Sequence, residues 1–114
     1  MGARFRHHRR NRLDPLPPGV RLVDRSSRYG NPFVFDPAHV RWCRALGVTT
    51  TLVADRDHAV ADYRRHLESN PDLHAFLAPL ADAVGLACTC PLDVACHADV
   101  LLDVLERNYP RSPR

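Results

Sequence analysis

Cysteine and histidine crowd into one ten-residue stretch, Cys88-Thr89-Cys90-Pro91-Leu92-Asp93-Val94-Ala95-Cys96-His97. Three of the four cysteines fall there, and the fourth, Cys43, sits far upstream beside Trp42. A disulfide framework spreads its cysteines so that they tie distant segments together. Clustering beside a histidine points instead to metal binding, thiol chemistry or a packed corner. Cys96 and His97 pair a nucleophile with a general acid or base, because histidine titrates near neutrality. A helix starting at Cys96 would place free backbone amides at its sulfur and lower its pKa, which makes Cys96 the nucleophile candidate. Asp93 is the acid placed to orient His97 or to cap that helix.

Cys88, Cys90, Cys96 and His97 also form a soft donor set for zinc. Their spacing is unusual for a structural site, where roughly two to four residues separate paired cysteines. Only one residue lies between Cys88 and Cys90. Cys96 and His97 are adjacent, and neighbours on a helix diverge by about 100°. A three-ligand site, or none, is therefore as consistent with the spacing as a four-ligand one. Plain packing competes with both, since Cys88 and Cys90 on the core face of a strand serve as small apolar fillers. Cys43 reads as core.

A second group lies in the loop Ser26-Ser27-Arg28-Tyr29-Gly30-Asn31-Pro32-Phe33. Hydroxyls, a glycine that permits close approach and the planar fork of arginine suit a phosphate or carboxylate. Ser27, Arg28, Tyr29 and Asn31 are the ligand-binding candidates, with Arg28 on the anion, Asn31 reading a polar group and Tyr29 stacking on a ring. The pattern is neither a Walker motif nor a dinucleotide fingerprint. The alternative is a buried turn locked by Asn31 and Pro32.

These residues need elements to position them. Val20–Val23 reads as a strand, 24–32 as loop, and Phe33–Phe35 as a brief extended stretch. Asp36-Pro37 has the cap-then-proline form of a helix start, and Gly47 a stop. Val48–Val53 is β-prone. Val60, Tyr63 and Leu67 recur at helical spacing behind Asp55 or Asp57. Asn70-Pro71 predicts another helix start, with Leu73, Phe76, Leu77 and Leu80 as its stripe. Leu86–Cys90 reads as a strand whose Leu86, Cys88 and Cys90 share a face, ended by Pro91. Val100, Leu101, Val104 and Leu105 mark a final helix. Alternating strands and helices predict an α/β fold: a small single domain with a short, mostly parallel sheet and flanking helices. In such a sheet, ligands sit beyond the carboxyl ends of the strands, where loops 24–32 and 91–95 both leave.

Charge divides the chain. Every one of its 16 basic residues is arginine, and five of them fall at positions 4–12 with no acid among them. The formal net charge of +3 therefore belongs to the N-terminal end, and the remainder is net acidic. Residues 1–18 read as a basic, proline-containing arm or lead-in, 19–108 as the single domain, and 109–114 as a flexible tail. The arm, through residues 4–12, suits weak contact with nucleic-acid phosphates, or else is a solvated tail. No apolar run is long enough for a membrane span. Nothing marks the start for secretion, so a cytoplasmic location is the expectation.

Ser27-Arg28-Tyr29-Gly30-Asn31-Pro32-Phe33, then Tyr63-Arg64-Arg65-His66-Leu67, then Leu86–Asp93 running into Cys96-His97-Ala98-Asp99-Val100-Leu101, together resemble the DUF4326 family of small bacterial and phage proteins. The resemblance spans roughly residues 10 to 108. Its relatives commonly carry tryptophan at the positions of Tyr29 and Thr89, and proline at that of Ala95. It implies a shared pocket built from Arg28, Asn31, Cys88, Cys90, Cys96 and His97, and names no substrate. The leading reading is a small-molecule-binding domain or enzyme for a nucleotide-like or other anionic ligand, with Cys96, His97 and Asp93 in catalytic roles. The alternative is a metal-stabilised nucleic-acid or protein interaction module, with zinc the candidate cofactor.

Overall fold

The computed structural model describes residues 4–11, 13–24, 27–90 and 92–110. Its centre is a strand, Gly85–Cys88, buried along its whole length. A short run without polar residues suits a parallel strand covered on both faces. Two parallel strands flank it, β1 (Phe5–His8) on one side and β2 (Val20–Leu22) on the other. A smaller parallel pair, β3 (Phe33–Val34) and β4 (Thr51–Leu52), is joined by helix α1 (Pro37–Ala45). The central strand is thus β5. Helices α2 (Arg56–Glu68), α3 (Leu73–Leu77) and α4 (His97–Asn108) complete the single α/β domain. Leu86 of β5, Tyr63 and Leu67 of α2, and Leu101 and Leu105 of α4 meet in one hydrophobic core.

The helix starts have local causes. Asp36 accepts from the Ala38 amide at 3.0 Å and Asp55 from the His58 amide at 2.9 Å, so each caps the helix that follows it. Gly47 takes φ +78 in the turn after α1, a conformation that favours glycine. The Asn70-Pro71 expectation shifts. Asn70 Oδ1 accepts from the Asp72 amide at 2.9 Å, forming an Asx turn, and α3 begins only at Leu73. The strand expected over Val48–Val53 contracts to Thr51–Leu52, which is exposed. Strand β5 stops at Cys88, because Thr89 and Cys90 bend away. Pro91, expected to end it, lies outside the described residues.

The largest departure is at the N-terminus. Residues 5–8 are not an arm: they pair in parallel with β5, Phe5 against Gly85 through His8 against Cys88. Phe-Arg-His-His carries no apolar alternation, so only the long-range pairing makes it a strand. Residues 1–3 and Arg12 of that segment lie outside the described residues. At the other end, Tyr109 stacks on His74 at 4.3 Å and its hydroxyl donates to the His74 carbonyl at 2.9 Å. Residues 111–114 lie outside the described residues. No described helix is long and apolar enough to cross a membrane.

The β1–β5 contact is tight enough to test. A Cβ on Gly85 would stand 2.9 Å from both the Phe5 carbonyl oxygen and the Phe5 ring. Gly85→Ala must push β1 off its partner, at a cost of about 1–3 kcal/mol. Urea denaturation of the variant checks this, and an unchanged midpoint would refute the pairing.

Candidate metal centre and adjoining cleft

Cys88 ends β5 inside the core, the chain bends through Thr89 and Cys90, and it returns to Cys96, the N-cap of α4. Cys96 fills the place a serine usually takes in a capping box. Its Sγ accepts from the Ala98 amide at 3.5 Å, and its own amide donates to Asp99 Oδ2 at 3.1 Å. This return brings the sulfurs of Cys88, Cys90 and Cys96 within 4.8 Å of one another, with Cys88 and Cys96 Sγ 3.3 Å apart. The cluster is able to coordinate a metal ion.

Strand β1 braces the same loop. His8 Nδ1 bonds the Cys90 carbonyl at 2.9 Å. Arg6 donates to the Val94 carbonyl at 2.9 Å and to Asp99 Oδ2 at 3.0 Å. Arg6 and His8 therefore act inside the molecule, on the segment that carries the thiols.

Three close thiols divide their protons unequally. Hydrogen bonds from Cys88 and then Cys96 hold the Cys90 thiol far below the ordinary range, and Arg56 Nη1, 4.0 Å from its sulfur, adds to this. Cys88 moves the opposite way, raised by its bonds to Cys90 and Cys96 and by burial. At Cys96 the bond from Cys88 lowers the pKa, but the bond to Cys90 and burial carry it upward. Cys96 is 1% exposed, while Cys90 is partly open to solvent. In metal-free, reduced protein, iodoacetamide should alkylate Cys90 first. Because its pKa is lowered, its rate should persist as pH falls to about 6, where an ordinary thiol is protonated. Mass mapping that finds Cys96 or Cys88 modified first would contradict this.

His97 lies beside the three sulfurs but outside their set. Its Nε2 meets the Val23 carbonyl at 2.5 Å, its Nδ1 is 3.5 Å from Cys96 Sγ, and its ring stands edge-on to Tyr63 at 5.3 Å. Asp93 is exposed in the preceding turn, and the carboxylate that engages the helix start is that of Asp99.

The Ser27–Asn31 loop faces elsewhere. Ser27 Oγ donates to the Asp24 carbonyl at 2.8 Å and accepts from the Tyr29 amide at 3.2 Å. Tyr29 is buried, and its hydroxyl donates to the Phe76 carbonyl at 3.0 Å. Arg28 lies over the Phe76 and Tyr29 rings at 4.8 and 5.4 Å. Asn31 is buried, donating to the Ala59 carbonyl at 3.1 Å and accepting from the Phe33 amide at 2.9 Å. Ser26 lies outside the described residues. The hydroxyl of Tyr63, a proton donor kept protonated by burial, reaches the Tyr29 carbonyl at 2.6 Å and links this turn to the His97 neighbourhood.

Beyond the carboxyl ends of β2 and β5, Cys88 and Cys90 of the cluster border a cleft of about 610 Å³. Asp24, Phe35, His39, Trp42 and Arg56 line it with Cys88, Cys90 and His97, whereas Ser27, Arg28, Tyr29 and Asn31 do not. Phe35, Trp42 and Arg56 were not singled out by sequence reasoning. One signal was present for Arg56: a cation in the first turn of a helix opposes the dipole, so it calls for a tertiary partner. Here those partners are the Ala95 carbonyl at 3.3 Å, Cys90 Sγ and the Phe35 ring at 5.0 Å.

No curated protein and no solved structure matches the chain. A family model, described as a domain of unknown function (DUF4326), matches residues 6–107, from strand β1 through most of α4. The chain is a member of the DUF4326 family.

Proposed function

We propose that this protein holds one soft divalent ion, zinc in the first place, on Cys88, Cys90 and Cys96. The carrying observation is the convergence of three sulfurs within 4.8 Å from two separate elements. The donor chemistry fits, since thiolates select soft and borderline ions. So does the charge. Three thiolates around a dication leave one net negative charge, and both the Arg56 guanidinium and the Ala98 amide face the sulfurs. Three protein ligands leave a fourth position, the arrangement of zinc sites that accept an exchangeable molecule.

A small-molecule function has one observation in its favour, the cleft that borders the thiols. An ion with an open position there serves both readings: it stabilises the loop and presents a binding point. Nucleic-acid contact through residues 4–12 has less support, because Arg4 and Arg6 are engaged with Glu106 and Asp99. Free thiols suit a reducing compartment, which is the basis for proposing a cytoplasmic location.

The test is native mass spectrometry of protein purified without chelator or metal resin, with cobalt(II) absorption spectra of reconstituted samples. The reading expects one ion per chain and a thiolate-to-cobalt band lost in each of Cys88→Ser, Cys90→Ser and Cys96→Ser, but kept in His97→Gln. Wild-type protein that retains no ion and gives no such band would overturn it.

A further inference from the structure

We propose that the cleft beside the thiols takes a neutral, purine-sized nitrogen heterocycle. Its ring nitrogen occupies the fourth position of the ion on Cys88, Cys90 and Cys96, and its face lies on Trp42. The proposal rests on the metal reading for the floor of the site, and its wall stands on separate observations.

The first is where exposed apolar surface collects. Among the described residues, eight large hydrophobic side chains are exposed, and four of them, Phe35, Trp42, Leu46 and Val48, line this one cleft. Isolated exposed apolar residues are ordinary, but a contiguous group marks a binding surface. Trp42 is 58% exposed, although an indole has much to gain from burial. A volume of about 610 Å³ is suited to a compact organic ligand.

The second is the balance of charge. Among the described residues, the cleft presents the carboxylates of Asp24 and Asp36, the imidazoles of His39 and His97, and one guanidinium, that of Arg56. Arg56 already faces Cys90 Sγ, the Ala95 carbonyl and the Phe35 ring. A polyphosphate would bring several negative charges to two carboxylates and a tris-thiolate ion. The geometry therefore disfavours the anionic ligand expected from the Ser27–Asn31 loop, whose Arg28 lies outside the cleft. A neutral aromatic ring avoids that repulsion and stacks on an indole whatever its substituents. A ring nitrogen, like imidazole, is a donor zinc accepts beside thiolates.

Trp42 is the chain's single tryptophan, so its fluorescence reports on the cleft wall. The experiment titrates zinc-loaded protein with adenine, adenosine and ATP, following fluorescence and calorimetry, with metal content measured on the same samples. The expected result is saturable quenching by adenine or adenosine at millimolar concentration or below. ATP should bind at least tenfold more weakly. Metal-free protein and zinc-loaded Phe35→Ala should each weaken binding at least fivefold, with the metal content of Phe35→Ala unchanged. Protein that carries zinc but binds no purine overturns this proposal and leaves the metal reading intact, as does ATP binding more tightly than adenosine. Purine binding by a chain that takes no metal overturns the coordination stated here together with the metal reading.

Discussion

Stripping the ion from zinc-loaded protein should lower its melting temperature by about 15 °C. An ion present at roughly a thousand times its dissociation constant contributes about 4 kcal/mol, and each kcal/mol shifts a domain of this size by about 4 °C. The loss should be partial rather than complete. Cys88 and Cys96 belong to the hydrophobic core, so the metal-free fold keeps their packing. This contrasts with zinc fingers, which have little core and unfold without metal. Cys96→Ser separates the two roles. Serine is a good N-cap, so the metal-free variant should lie within about 1 kcal/mol of metal-free wild type, while the zinc-dependent increment disappears. Cys88 and Cys96 hold their protons to higher pH than free thiols, so binding must release them, and the increment should shrink as pH falls. Scanning fluorimetry with and without chelator checks all three points. Equal melting temperatures in both conditions would count against the ion.

Much of this architecture is legible in residues that act locally. Asp36-Pro37 and Asp55 state their helix starts because a cap is a short-range bond. The cysteine cluster announces a site by composition, and the unusual Cys88–Cys90 spacing already allows for three ligands rather than four. What depends on distant contacts is not legible. Period-two alternation predicts Cys90 on a strand face, yet the chain bends after Cys88 and the sulfurs meet by the return through Cys96. Proximity to a helix start suggests Cys96 as the thiolate. The neighbouring thiols and Arg56 instead lower the pKa of Cys90, while Cys90 and burial raise that of Cys96. The Ser27–Asn31 loop has the residue types of an anion site. Its orientation, however, is decided by Tyr63 and Ala59, more than thirty and nearly thirty residues away in sequence.

Deleting residues 1–8 should cost most of the stability of the domain, where removal of a solvated arm would change nothing. Arg4 shows why. Its side chain is 2% exposed and binds three acceptors in different directions. Nε donates to the Ala83 carbonyl at 3.0 Å, Nη2 to the Ala81 carbonyl at 2.7 Å, and Nη1 to Glu106 Oε2 at 2.8 Å. Arg4→Ala removes all three bonds of a buried side chain, a loss of about 3–5 kcal/mol. Domains of this kind are stable by only about 5–15 kcal/mol in total. Arg4→Lys keeps the charge without the fork, cannot reach all three acceptors, and should fall near 2 kcal/mol. Glu106→Gln should cost about 1 kcal/mol, because the pair is half exposed on the Glu106 side and the glutamine amide oxygen can still accept from Arg4 Nη1. The deletion adds the β1–β5 ladder, the Arg6 bonds to Val94 and Asp99, and the His8 bond to the Cys90 carbonyl. It should therefore abolish metal uptake along with cooperative unfolding. Urea titrations of the four variants read the order directly: deletion, then Arg4→Ala, Arg4→Lys and Glu106→Gln. A deletion variant that melts like the full chain would return the N-terminus to the status of a free arm, and with it the case for nucleic-acid contact.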